Sequence, residues 1–302
     1  SVYHTKCCNS RQKLPCRKAP LKKTAVCDII SPYKSARRRY TEDFKVKAFE
    51  IAEDIIGKDF INTHPGTVDR LKFGDETKEV RKIAVCLAAT PDVLRQCRLW
   101  GADLIITHEP IYYDHEDVFR PGRITNEKRR LLEETGAAVY RYHDSMHFRA
   151  GDEVGEAFIA DTGLSGSFDG DMGLTCDNAV SAREAALICA EKLRLRHPRI
   201  VGDADYKSQR ILLALGMRGS RCFADFAEGD GFEIAICGEL CEWSDCEPVR
   251  EAAQMGMHKA IVILGHAGSE KFAMKHLAQK IDMKYGAEAR YFDCGEVYTY
   301  TD

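Results

Sequence analysis

The sequence predicts an α/β protein of two lobes, each with a helix-covered, largely parallel or mixed sheet, and a metal site in the cleft between them. Three observations carry that prediction. Apolar runs of strand length alternate with segments of helical period from residue 41 onward, and such alternation builds parallel strands bridged by helices. A stretch of small and polar residues, 164–173, interrupts the alternation once, as a linker would. Imidazole and carboxylate pairs follow three of the apolar runs, at the strand ends where open sheets bind ligands.

The elements follow in order. Thr41 is a plausible N-cap, and Phe44, Ala48, Ile51, Ala52 and Ile55 then form a helical stripe. The continuous apolar run 82–88 is a buried strand. Pro91 opens a helix to Trp100, where proline suits the first turn. Strand 103–107, helix 126–135 ending at Gly136, strand 138–142 and helix 152–161 complete a first lobe, 41–163. After the linker 164–173 the second lobe, 174–302, is expected to hold helix 179–193, strand 209–215, a short helix from 220 and strand 232–237. Helix 245–255, strand 259–264, helix 268–282 and a final strand at 290–293 follow.

Composition narrows the class. The chain has 302 residues, 44% of them hydrophobic and 30% charged, as a globular protein has. No apolar run approaches the roughly 18 residues of a membrane span. Residues 1–40 carry eleven Lys/Arg against the single acid Asp28. They lack a hydrophobic period and are expected to be a disordered basic tail; a transit peptide or sequence outside the functional protein is the alternative. A nucleic-acid role would rest on this tail alone, because the net charge is −3. The 13 cysteines are odd in number, scattered through the elements, and include no Cys-x-x-Cys pair. That pattern indicates reduced thiols in a cytoplasmic setting rather than a disulfide framework or a cysteine zinc site.

Chemistry concentrates in three constellations. His108-Glu109-Pro110 closes the run Leu104–Thr107. His143-Asp144-Ser145-Met146-His147 follows the run 138–142. His266 and Glu270 follow the run 260–265, four residues apart near a helix start, so they can share a face. Imidazole plus carboxylate is the ligand set of zinc, manganese and iron. Each pair alone is also what a solvated loop would show; their recurrence at three strand ends suggests one assembled site. Glu239 and Glu242 follow strand 232–237 and are candidate proton carriers, or partners orienting a metal-bound histidine. The glycine-rich phosphate loops and the nucleophile elbow Gly-x-Ser-x-Gly are missing.

With these residues in view, the chain resembles the Nif-three-like dinuclear metal-centre family, whose members are often labelled GTP cyclohydrolase 1 type 2 homologs. Three motifs carry the resemblance, which spans about Thr41 to Tyr300: Gly101-Ala-Asp-Leu-Ile-Ile-Thr-His108-Glu-Pro110, Tyr142-His143-Asp-Ser-Met-His147 and Gly265-His266-Ala-Gly-Ser-Glu270. The family's first motif usually reads His-His-Pro and its second His-x-x-x-Asp. Glu109 therefore stands where a second histidine ligand is usual, and His147 where an aspartate is usual. Ala88 replaces an aspartate found in many members near the first strand end. The resemblance implies a two-lobed subunit in a homo-oligomer, often a hexameric ring, and two divalent ions per subunit.

The expected function is that of a metal-dependent hydrolase acting on a nucleotide or other phosphorylated small molecule. His108, Glu109, His147, His266 and Glu270 would be ligands, with His143 auxiliary and Glu239 or Glu242 moving a proton. A metal-binding regulatory or scaffold protein without turnover is the rival reading; a closed metal shell would favour it, since catalytic sites keep an open position.

Overall fold

The computed structural model describes residues 46–301, apart from 150, 220 and 286. The expected basic tail and the helix start at Thr41 lie outside the described residues. The chain enters through helices α1 (Ala48–Ile56) and α2 (Lys58–Thr63) and strand β1 (Leu71–Phe73). It continues through β2 (Lys82–Cys86), α3 (Pro91–Trp100), β3 (Leu104–Thr107), α4 (Arg123–Thr135), β4 (Ala138–Arg141), α5 (Asp144–Phe148) and α6 (Glu153–Thr162). Then come β5 (Gly166–Phe168), β6 (Gly173–Ser181), α7 (Ala182–Leu193), β7 (Arg199–Gly202), β8 (Lys207–Met217), α8 (Arg221–Glu228) and β9 (Ile234–Glu239). A π-helical turn, Glu242–Cys246, leads into α9 (Glu247–Gln254), β10 (Ala260–Ile263), α10 (His266–Lys284) and β11 (Glu288–Tyr291).

Local chemistry explains the firm boundaries. Thr90 Oγ1 accepts from the Val93 N–H (3.3 Å) to cap α3, Pro91 fills its first position, and Gly101 closes it at φ 76°, the left-handed geometry glycine adopts without cost. Ser181 and Glu184 form a reciprocal capping box at α7. That cap corrects one expectation: the helix predicted from 179 begins at 182, because 173–181 is extended and paired to β8. A second correction concerns 164–173, read as loop from its glycines and serines. Its residues 166–168 form an edge strand antiparallel to β6. Short polar strands of this kind have no apolar signature, because an edge buries little.

Two sheets result. The first has order β1-β4-β3-β2-β11, parallel except where β1 meets β4. The second has order β5-β6-β8-β9-β10-β7, parallel only across β8, β9 and β10. The last strand returns to the first sheet, beside β2.

Alternation along each strand sorts side chains into layers. Ile83, Val85, Leu104, Ile106, Leu213, Leu215, Ile234, Ile236 and Val262 face a shared core, where Phe272, Met274 and Leu277 of α10 also sit. Ala84, Cys86, Ile105 and Val139 face the other way onto α3 and α4. Leu212, Ala214, Ala235, Cys237 and Ile261 do the same onto α8 and α9. Helix α10 packs against β2 and β11 of one sheet and β8 and β9 of the other. Residues at its N-terminus therefore meet strand ends from both sheets.

Candidate metal centre

His108 follows directly on β3 and is fully buried. Its Nδ1 donates to the Tyr142 carbonyl at 3.0 Å, which leaves the lone pair on Nε2. Burial pushes the imidazole down to about 4, so the ring is neutral at pH 7. Nε2 has no hydrogen-bond partner and faces Glu270 Oε2 at 3.5 Å, an oxygen whose other neighbour is His266 Nε2 at 3.2 Å. Two electron-pair donors confront each other with no proton between them. Buried polar groups are normally satisfied, and a cation is the species that reconciles this pair. A histidine that donates its other nitrogen to a carbonyl is the usual arrangement at a metal.

Glu270 is 3% exposed. Burial by itself would push its carboxyl up, but the hydrogen bond from His266 and the imidazoles of His108, His266 and His147 hold it at about 2. The backbone makes room for it: a Cβ on Gly216 of β8 would lie 2.1 Å from Glu270 Oε1. The Gly216 N–H donates to Ser269 Oγ at 2.9 Å, and that hydroxyl donates to the His266 carbonyl at 2.9 Å, which ties the end of β8 to the start of α10.

His266 opens α10, two residues before the expected helix start, so His266 and Glu270 are one helical turn apart. Its Nε2 donates to Glu109 Oε1 at 2.8 Å and its Nδ1 to Glu239 Oε1 at 3.0 Å. With both nitrogens donating, the ring is an imidazolium. Burial alone would lower its pKa; the carboxylates of Glu109 and Glu270 outweigh that and raise it to about 11. The Glu109 carboxyl, which burial would raise, is held below its ordinary value chiefly by the His266 hydrogen bond, with the neighbouring imidazoles of His108 and His266 acting the same way. A positive charge therefore sits at the point where three carboxylates meet, as a metal ion would.

His143 is the N-cap residue of α5, and His147 lies on that helix. The rings of His108 and His143 lie 4.6 Å apart, those of His108 and His147 5.3 Å, and those of His143 and His147 5.1 Å. His143 Nδ1 bonds Asp144 Oδ1 at 2.8 Å, while burial holds the His143 pKa below its ordinary value. His147 Nε2 is 3.7 Å from Glu270 Oε1, and its Nδ1 is 3.3 Å from Asp152 Oδ1. Two ligand groups thus form around His108, one with His143 and His147 and one with Glu109 and Glu270; within each group one donor atom per residue lies within 4.8 Å of the others. Glu239 stands against His266. Glu242 points away, its side chain 78% exposed and paired with Arg199 at 3.2 Å.

Several residues that support these ligands had no local signal. Asp69, 2% exposed, accepts from the backbone N–H groups of His143 (2.6 Å), Asp144 (2.9 Å) and Ser145 (2.7 Å) and from Ser145 Oγ (2.5 Å). It caps α5 from 74 residues away. Arg141, 1% exposed, donates Nε to the His108 carbonyl at 3.0 Å and sits 3.6 Å from the buried Asp117. Its position inside an apolar strand gave no hint of this. The rings of His115 and His143 meet edge to face, with centroids 5.7 Å apart.

A family model described as Duf34/NIF3 (NGG1p interacting factor 3) matches residues 70–294. The chain belongs to the Duf34/NIF3 family. Among curated relatives, a GTP cyclohydrolase 1 type 2 homolog from Clostridium perfringens is 22% identical over 73% of this chain and 85% of its own. One from Archaeoglobus fulgidus is 24% identical over 72% and 85%. Reduced HcgD from Methanocaldococcus jannaschii shares the fold, with a TM-score of 0.64 at 19% identity, over 82% of this chain and 98% of its own. The matched NIF3 segment contains all five histidines and carboxylates of the two ligand groups, and His266. No described helix is long and apolar enough to cross a membrane.

Proposed function

We propose that this NIF3 protein holds two divalent ions and is a metal-dependent hydrolase of a nucleotide or another phosphorylated small molecule. The observation that carries the reading is the unpartnered lone pair of His108 Nε2 facing Glu270 Oε2 in a site with an accessible side. His108 and Glu270 are sealed, but the side chains of Glu109 and His266 are 23% and 28% exposed. A structural metal site is closed, whereas a catalytic one keeps an accessible position.

The ligands in this reading are His108, Glu109, His147, His266 and Glu270, with His143 auxiliary. When bound, the ions supply Lewis acidity and make water a better nucleophile near neutral pH. The chain's own residues do the rest. The Tyr142 carbonyl fixes the His108 tautomer, so Nε2 is the donor. Glu239 orients His266 through Nδ1 and accepts the proton that Nδ1 would otherwise keep; it is the preferred proton carrier, with Glu242 the alternate. The buried wall of His108, His147 and Glu270 excludes bulk water from one side, which strengthens electrostatic effects on a bound phosphate ester.

Elemental analysis of wild type, His266→Ala and Glu270→Ala, purified without chelator, tests the metal assignment. Close to two ions per wild-type chain and clear losses in both variants are expected; equal metal in all three overturns it. A screen of nucleotides and phosphomonoesters tests the reaction. Chelator should abolish turnover and a divalent ion restore it. Metal that stays bound while no ester is cleaved would turn the reading to a regulatory role.

A further inference from the structure

Beside the metal centre lies a cavity of ≈ 70 Å³ lined by Lys271, Arg196, Tyr298 and the first residues of α10, with His266 on its rim. Two independent features of its wall point to an anion. The first is the start of α10. No side chain caps this 19-residue helix, so the N–H groups of its first turn and the positive end of its dipole are turned to the cavity. The second is Lys271. It is 9% exposed, yet among the described residues it makes no ion pair or hydrogen bond. Its stem is buried while the ammonium opens to the cavity, and a lysine so enclosed is uncommon without a counter-charge.

The acids that share the cavity leave Lys271 free. Glu239 accepts from His266 Nδ1 at 3.0 Å, and Glu296 hydrogen-bonds with Tyr300 across the cavity. Arg199, also on the wall, is paired outward with Glu242. Arg196 stacks over the Tyr300 ring at 5.0 Å, which holds a second guanidinium at the mouth.

We propose that this cavity is a phosphate subsite. Lys271 Nζ is the counter-ion, and the backbone N–H groups at the start of α10 donate to the phosphate oxygens. Lys271 follows Glu270 directly, so one helical turn carries both a metal ligand and the phosphate ligand. A phosphomonoester seated here presents the rest of its skeleton across His266 to the metal centre. That last step rests on the hydrolase reading above; the subsite does not, because its donors are Lys271 Nζ and backbone N–H groups, and no metal-ligating side-chain atom is among them.

The test is titration calorimetry on the full chain with inorganic phosphate, a nucleoside 5′-monophosphate and its parent nucleoside. Wild type, Lys271→Met and Lys271→Arg are compared, each chelator-treated and metal-loaded. Wild type should bind phosphate in both states, and Lys271→Met should weaken it by at least about tenfold, as loss of a charge-assisted contact does, with metal content unchanged. Lys271→Arg should retain most of the binding. Lys271→Gln, which keeps a polar tip, answers the question if Lys271→Met fails to fold. Equal binding by wild type and Lys271→Met overturns the subsite, as does binding seen only with metal. A nucleoside that binds as tightly as its monophosphate also overturns it. If Lys271-dependent phosphate binding persists while no ester is hydrolysed, the hydrolase reading falls and the subsite stands.

Discussion

His266 Nε2 donates to Glu109 Oε1 across 2.8 Å, joining residues 157 positions apart in the chain. The contact ties the start of α10 to the end of β3 and places an imidazolium where a metal would sit. Replacing Glu109 by glutamine keeps the shape and removes the charge. Metal affinity should fall by at least about tenfold, the lower end of what even an outer partner contributes, and any hydrolytic rate should fall with it. Metal affinity and rate both at wild-type level in Glu109→Gln would remove Glu109 from the ligand set.

Asp69 tests whether α5 depends on a distant cap. In Asp69→Asn one oxygen becomes an amide that faces the Ser145 N–H and hydroxyl, donors against a donor. The expected loss is about 2–4 kcal/mol, or roughly 3–6 °C in melting temperature for a chain this size. Metal retention should drop too, since His143 is the N-cap residue of α5 and His147 lies on that helix. A melting curve that superimposes on wild type would show that α5 holds itself.

Lys128 gives a pH dependence free of the metal site. It lies on α4, is 4% exposed, and burial pushes it down to about 8. The unfolded chain keeps its proton up to about 10.5, so between pH 8 and 10.5 the unfolded state binds more protons, and stability rises with pH. Below pH 8 the native state bears the full cost of the buried charge. Lys128→Met should therefore be the more stable protein at pH 7, by on the order of 3 kcal/mol. The gap should close toward pH 10.5. Denaturant unfolding of both proteins at several pH values measures it, and a gap that stays constant from pH 7 to 10.5 would contradict the assignment.

Chelation should lower the melting temperature of wild type. A ligand that binds only the native state stabilises it by mass action, and here it would also relieve the unpaired contact between His108 and Glu270. Glu270→Ala should melt at the same temperature with and without chelator. A chelator effect of wild-type size in that variant would place the metal elsewhere.

The amino-acid sequence by itself determined the α/β class, the three histidine motifs and most central strands. Runs such as Lys82–Cys86 and Ala260–Ile263 are apolar on both faces because helices cover both, and that pattern is local. Helix α3 could be read to the residue because Thr90, Pro91 and Gly101 are chemical punctuation. The edge strands β1, β5 and β7 were not legible, since an edge buries little and carries no hydrophobic period. Nor was the return of β11 to the first sheet, for nothing local says which strand will be its neighbour. At the site, residue types announced His108, His143, His147 and His266, but only tertiary structure decided what each one faces. The tautomer of His108 follows from a Tyr142 carbonyl 34 residues away, and the protonation of His266 from carboxylates on β9 and beyond β3. Room for Glu270 follows from a glycine on β8. Hydrogen bonding and desolvation act through space at a few ångströms, and the partners that set them are distant in the chain.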